Sequence, residues 1–161
     1  MSEPQFSLSE YLGTVQEVIR LAFDEPVWVK AEIRNLNVKG GHYYLELAEK
    51  DAETDKVIAS CKATIWKFSA SKIVLKFERE TGIEISSDLN VLIKIRARFD
   101  PQYGFSVNIE EIDSSFTLGE IAKRYQQIIE RLTQEGLIHK NKLLPTPFDI
   151  QNVLVIAPQN A

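Results

Sequence analysis

Apolar residues recur about one helical turn apart from Ser7 to Phe23, at Leu8, Tyr11 or Leu12, Val15, Ile19 and Phe23. Ser7 or Ser9 is placed to cap this helix, and Glu10 follows Ser7 at capping-box spacing. Pro26 disfavours helix for the residue before it and closes the segment. From Val27 the period falls to two. Val27, Val29, Ala31 and Ile33 alternate with Trp28, Lys30, Glu32 and Arg34, which predicts a half-buried strand. Gly40-Gly41 marks a turn, and His42 to Leu47 resumes the alternation with Tyr43, Leu45 and Leu47 on one side. A polar, charge-dense loop over Glu49 to Lys56 precedes a third strand from Val57 to Trp66. Its inner face is expected to carry Ala59, Cys61, Ala63 and Ile65, and its outer face Ser60, Lys62, Thr64 and Trp66.

Lys67 to Glu80 reads as a helix closed by Gly82. Val91 to Phe99 is a β-branched fourth strand with Lys94, Arg96 and Arg98 opposite Ile93, Ile95 and Ala97. Asp100 to Gly104 makes a hairpin loop, and Phe105 to Ile112 the fifth strand. Helical period returns from Thr117 to Glu135 through Leu118, Ile121, Tyr125, Ile128 and Leu132, with Thr117 and Glu120 as a capping pair and Gly136 as the stop. The apolar run Val153 to Ala157 does not alternate, as in a strand buried on both faces.

Three strands, a helix and two more strands is the order of a five-stranded Greek-key barrel of the OB type. The expected fold is therefore mainly β, one helix preceding the barrel and a long connecting helix following it. Residues 1–25 would form the first helix, 26–113 the barrel, and 114–147 the connecting helix and linker. Residues 148–161 would form the first strand of a further domain, cut off by the end of the sequence.

Such barrels grip single-stranded nucleic acid with aromatic rings that stack on bases and cations that follow phosphates. The outward positions of the predicted strands supply both kinds of group. They are Trp28, Lys30 and Arg34 on the first strand, His42 and Tyr44 on the second, Lys62, Thr64 and Trp66 on the third, and Lys94, Arg96 and Arg98 on the fourth. Stacking accepts any base, and cations at alternate positions read no base edge, so salt-sensitive binding without sequence preference is expected. Any half-solvated sheet also shows polar side chains, and Trp28 or Trp66 could equally pack beneath a helix.

Composition limits this picture. The chain has 161 residues, 44% of them hydrophobic, and a net charge of −4. An acidic balance is not that of a general polyanion binder. Val27 to Glu111 carries 13 basic and 13 acidic residues, so binding depends on how the charges are segregated. No apolar run reaches the roughly 20 residues of a membrane span. Met1 to Phe6 lacks the basic-then-apolar pattern of a secretory signal. Cys61 stands alone, which excludes an internal disulfide and fits a reducing compartment; the cytoplasm is expected.

His42, Cys61 and His139 have no metal-ligand spacing, and Asp51, Glu53 and Asp55 lack the glycine and terminal glutamate of an EF-hand. No phosphate-binding glycine loop and no nucleophile–base pair is present. The expectation is a chain with no catalytic residue, no metal and no cofactor.

Several segments together resemble the amino-terminal part of the large subunit of bacterial exodeoxyribonuclease VII. They are Phe6 to Glu10, Val27 to Leu36, Gly41 to Leu47, Gln134 to Leu137 with the following stretch to Pro147, and Val153 to Ala161. The resemblance implies an OB-fold that feeds single-stranded DNA to a nuclease domain beyond Ala161, where that family keeps its catalytic residues. It also implies cleavage of single strands to oligonucleotides with no required divalent metal, and a small-subunit partner for the full-length protein. Self-association of the chain through a strand edge is a further expectation. The loop from Glu49 to Lys56 is longer and more acidic than that family's pattern. A protein-interaction or positioning module and an anticodon-type RNA-binding barrel remain open from the residues alone.

Overall fold

A computed structural model of the chain describes residues 5–145, 148–149 and 153–157. Helix α1 (Leu8–Ala22) is followed by strands β1 (Val27–Lys39), β2 (His42–Lys50) and β3 (Val57–Ile65). Helix α2 (Lys67–Thr81), strands β4 (Asn90–Asp100) and β5 (Gly104–Asp113) and helix α3 (Ser114–Gln134) complete the main elements. The five strands close into a barrel in the order β1-β2-β3-β5-β4. The predicted OB barrel, with one helix before it and one after, is the fold observed.

β1 is longer than its alternation suggests because it serves two ladders. Val27 to Glu32 pair with β4, and Glu32 to Lys39 pair with β2. Between them Arg34 bulges out of register, and the parity of the strand changes. Ile33 is buried before the bulge and Leu36 packs against the core after it. A second bulge, at Glu110 in β5, lets both Ile109 and Ile112 face inward. Gly40 and Gly41, both at positive φ, turn β1 into β2 in two residues, which places Lys39 opposite His42.

The core is made by Ile33, Leu45, Leu47, Ile65, Val91, Ile93, Val107 and Ile109 from the strands, with Ile73, Val74 and Phe77 from α2. Phe77 is 1% exposed and belongs to the same core cluster as the strand residues. Burying such a ring contributes about 1.5–3 kcal/mol. α2 ends where the sequence places its stop: Gly82 is left-handed and its N–H donates to the Glu78 carbonyl.

α1 begins with the predicted capping box. The Ser7 hydroxyl accepts from the Glu10 N–H, and the Glu10 carboxylate accepts from the Ser7 N–H at 2.8 Å. The Ser7 hydroxyl also donates to the Glu10 carboxylate at 2.7 Å, and this bond together with that from the Ser7 N–H holds the Glu10 carboxyl below its ordinary pKa. Leu12, Val15 and Ile19 are half-buried, and Gln16 Nε2 donates to the Phe99 carbonyl of β4 at 2.8 Å.

Two expectations are corrected. α3 starts three residues before Thr117, because Asp113 accepts the Phe116 N–H at 3.0 Å and caps the helix directly from β5. Thr117 is instead buried inside the first turns, 1% exposed, and its hydroxyl has no hydrogen-bond partner. Trp66 lies outside β3: it is the extended N-cap residue of α2.

The chain divides into two compact units, and the division falls between Ala122 and Lys123. In the second, the helix ends in a Schellman pattern, with the Leu137 N–H on the Leu132 carbonyl and the Gly136 N–H on that of Thr133. A short 3-10 helix, Lys140–Leu143, follows. The unalternated run of Val153 to Ala157 predicts a strand buried on both faces. Among the described residues it has no ladder partner, and these five residues are exposed, so no neighbouring strand converts the apolar run into sheet. The remaining residues of the expected 148–161 segment that lie at 150–152 and 158–161 are outside the described residues.

Candidate nucleic-acid interface

The closed barrel gives the outward-pointing side chains different directions, and the ladders decide which of them meet. Asn37, Tyr44, Thr64, Asn108 and Arg96 form a lateral row across β1, β2, β3, β5 and β4. Around Tyr44 two features converge.

The first is an aromatic cluster at the start of α2. Trp66 Nε1 donates to Asn108 Oδ1 at 3.0 Å. The His42 ring meets Trp66 edge-on at 5.2 Å between centroids, and Tyr44 lies 6.2 Å from His42. The Arg98 guanidinium lies 5.5 Å from the Trp66 ring centre. Trp66 has no side-chain oxygen with which to cap α2, and His42 supplies the missing acceptor: its Nδ1 takes the Lys67 N–H at 3.2 Å. That bond requires an unprotonated Nδ1. Lys39 and Lys67 stand at the same turn. The aliphatic chain of Lys67 lies so close to Gly41 that a Cβ there would come within 3.0 Å of it.

The second feature is a groove of about 580 Å³ beside this cluster, lined by Asn35, Asn37, Tyr44, Lys62, Tyr103 and Phe105 among others. It exists because β3 and β5 pair only at Ala63–Val107 and Thr64–Asn108, which leaves the β4–β5 hairpin standing away from the first half of β3. Tyr103 is 77% exposed at the hairpin tip, and Phe105 is also exposed. Lys62 faces Glu46 across the ladder but has no ion pair among the described residues, since Glu46 pairs with Arg34 at 3.6 Å. Cys61 borders the same groove, and burial pushes its thiol pKa up, which lowers its thiolate fraction.

The structure thus brings His42, Tyr44, Lys62, Thr64, Trp66 and Arg98 together. It does not bring in the other five predicted residues. Trp28 is 46% exposed but pairs with Lys94 on the β1–β4 side of the barrel. Lys30 lies over the Phe116 ring at 5.4 Å. Arg34 is tied to Glu46. Arg96 donates to Glu110 at 2.7 Å and to the Asp24 carbonyl, so it fastens the end of α1 to the barrel. Hydrogen bonding to Glu110 raises the pKa of Arg96.

Five residues of the assembly were not selected from the sequence: Asn35, Asn37, Tyr103, Phe105 and Asn108. The pattern Tyr103-Gly104-Phe105, aromatic rings on both sides of a hairpin glycine, was the available signal. A second pocket, of about 380 Å³, is lined by Glu32, Glu49, Asp51, Asp55 and Glu120 around Lys50. Lys50 is held by Glu32 at 2.8 Å, and a surface of this charge repels phosphate. Asp51 is occupied within its own loop, where it accepts from the Thr54 N–H and hydroxyl and is held below its ordinary pKa.

Comparison with known proteins bears on the fold that carries these residues. The chain is 39% identical over 163 residues to the Exodeoxyribonuclease 7 large subunit of Deinococcus radiodurans, a match that covers 99% of this chain and 39% of that protein. It is 28% identical to the Exodeoxyribonuclease 7 large subunit of Lactococcus lactis, covering 96% of this chain and 35% of that protein. The chain therefore spans less than half the length of these relatives, and the resemblance seen in its motifs holds along nearly all of it. Among solved structures, fission yeast Pot1 with ssDNA aligns with 78% of this chain and 52% of its own, at 13% identity and a TM-score of 0.35, a likeness too slight to bear on function. Residues 6–113 match the family model described as OB-fold nucleic acid binding domain, so the chain belongs to that family.

Proposed function

We propose that this chain is the single-stranded DNA-binding region of an exodeoxyribonuclease large subunit and guides the strand toward a nuclease domain. The observation that carries the reading is the convergence of Tyr44, Tyr103, Phe105 and Trp66 on one side of the barrel, beside Lys62 and Arg98. Each stacked base is worth ~1–3 kcal/mol without regard to sequence. The cations would follow the phosphates, with Lys39 and Lys67 extending the path past the Gly40-Gly41 turn. Amides at Asn35 and Asn37 offer donors and acceptors without the charge that would favour duplex backbone over exposed bases.

In this reading the interface keeps His42, Tyr44, Lys62, Thr64, Trp66 and Arg98, while Trp28, Lys30, Arg34, Lys94 and Arg96 serve the barrel. Hydrolysis to oligonucleotides belongs to the part of the relatives that this chain does not span. A small-subunit partner and a cytoplasmic setting follow from the same assignment. Among the described residues no helix is long and apolar enough to cross a membrane.

The test is a titration of labelled single-stranded DNA with matched RNA and duplex competitors at two salt concentrations. Preference for the single DNA strand is expected, with no cleavage of the probe. Equal competition by duplex would remove the guiding role, and preference for RNA would transfer the interface to another substrate.

A further inference from the structure

Trp66 is the largest ring in the cluster and sits at the junction of β3 and α2. A tryptophan at such a hinge has two side-chain torsions to settle, and a ring that samples several orientations loses stacking free energy to ordering. We infer that Asn108 is a positioning residue, which fixes the plane of the Trp66 indole before any strand arrives; the inference rests on the nucleic-acid-binding reading of this cluster.

The chemistry makes the contact specific. An indole N–H only donates, so the Asn108 amide must present its oxygen, and the 3.0 Å bond defines both the amide orientation and the ring plane. Asn108 is itself anchored, because its backbone is registered with Thr64 on β3 and Arg96 on β4. Trp66 is confined from other directions by His42 at its edge and Arg98 over its ring. His42 in turn is tied to the first N–H of α2. The ring is therefore held to three strands, β2, β4 and β5, none of which is the one it follows in the chain.

The experiment uses the whole chain carrying Trp28→Phe, which leaves Trp66 as the one remaining tryptophan. Asn108→Leu, close in size but without an acceptor, should lower the steady-state anisotropy of Trp66 and weaken single-stranded DNA binding about 5–20-fold, the size expected for losing one hydrogen bond plus restraint. Asn108→Asp keeps the acceptor and should retain the anisotropy, which guards against a general folding defect in the leucine variant. The decisive readout is a double-mutant cycle with Trp66→Phe, which keeps an aromatic ring but has no N–H.

If Asn108 acts through the indole, Asn108→Leu has no further effect on affinity in the phenylalanine background. An equal loss in both backgrounds would mean that Asn108 touches DNA or merely supports the strand, and would overturn the inference. Unchanged Trp66 anisotropy in Asn108→Leu would overturn it as well. A chain that binds no single strand at all would defeat the proposed function, yet the anisotropy arms would still decide whether Asn108 holds the ring.

Discussion

Replacing Lys62 and Tyr44 by alanine, one at a time, should separate the two halves of the interface by their response to salt. Each phosphate neutralised on a single strand contributes about −0.7 to the slope of log affinity against log salt. Lys39, Lys62, Lys67 and Arg98 stand at the groove and the Trp66 cluster with, among the described residues, at most a long ion pair, that of Arg98 with Asp100 at 3.9 Å. Four such charges give a slope of about −2.8, or roughly 50-fold weaker binding at 200 mM than at 50 mM salt. Lys62→Ala should make the slope shallower by ~0.7, so the ratio of wild-type to variant affinity falls ~2.6-fold as salt rises from 50 to 200 mM. Tyr44→Ala removes a stacking ring and no charge. It should weaken binding by ~1–3 kcal/mol at both concentrations and leave the slope alone. Arg96→Gln should also leave the slope alone, because Arg96 is already neutralised by Glu110 and trades one anionic partner for another if it turns to phosphate. The assay is fluorescence anisotropy of a labelled oligonucleotide across four or five salt concentrations. A slope that becomes shallower in Arg96→Gln but not in Lys62→Ala would show that the strand runs over the β4–β5 face rather than along the groove.

Thr117→Val keeps the shape of a buried side chain and removes a hydroxyl without a partner; stability should rise by ~1 kcal/mol, read as a midpoint roughly 2–8 °C higher in thermal unfolding. A lower midpoint would mean that the hydroxyl is bonded after all. Glu10 titrates below its ordinary value because Ser7 donates to its charged form, so its contribution is present above the unfolded pKa and lost as pH falls through the folded one. The midpoint difference between wild type and Glu10→Gln should therefore be largest near neutrality and vanish in acid below the ordinary carboxylate range. A difference that persists at pH 2 would separate it from the carboxylate's charge.

Periodicity made the barrel legible because each strand's alternation is a local property. The sequence of elements, the Ser7 cap and the Gly82 stop were all written in neighbouring residues. What alternation does not contain is direction around the barrel. It says that Trp28 and Trp66 point outward, yet on a closed sheet outward means opposite sides for β1 against β4 and for β3 against β5. It also breaks at bulges, which is why the reading of β1 stopped at Arg34, although Leu36 continues the inner face three residues after Ile33. At the start of α3 two capping residues competed, Asp113 and Thr117. The one that ended the strand prevailed, because the helix leaves β5 without an intervening loop. Alternation presents Tyr103 only as a turn residue and Phe105 only as a strand residue; they line the groove because the hairpin stands clear of β3.

That scant pairing between β3 and β5 has a consequence for motion. The β1–β2–β3 meander and the β4–β5 hairpin are each zipped by many local pairs, and they meet along two joints. One is the six-pair ladder of β1 with β4; the other has just two pairs. The barrel is thus two leaves bound firmly along one margin and lightly along the other, where Trp66 reaches from one leaf to Asn108 on the other. Openings of lowest free energy should start at this light margin, so amide protons of Ala63 to Ile65 that bridge the leaves should exchange before those of Val27 to Ala31. A strand lying in the groove would contact both leaves at once. It should slow that exchange and act as the clasp the sheet itself lacks; equal exchange with and without DNA would show that the leaves do not part.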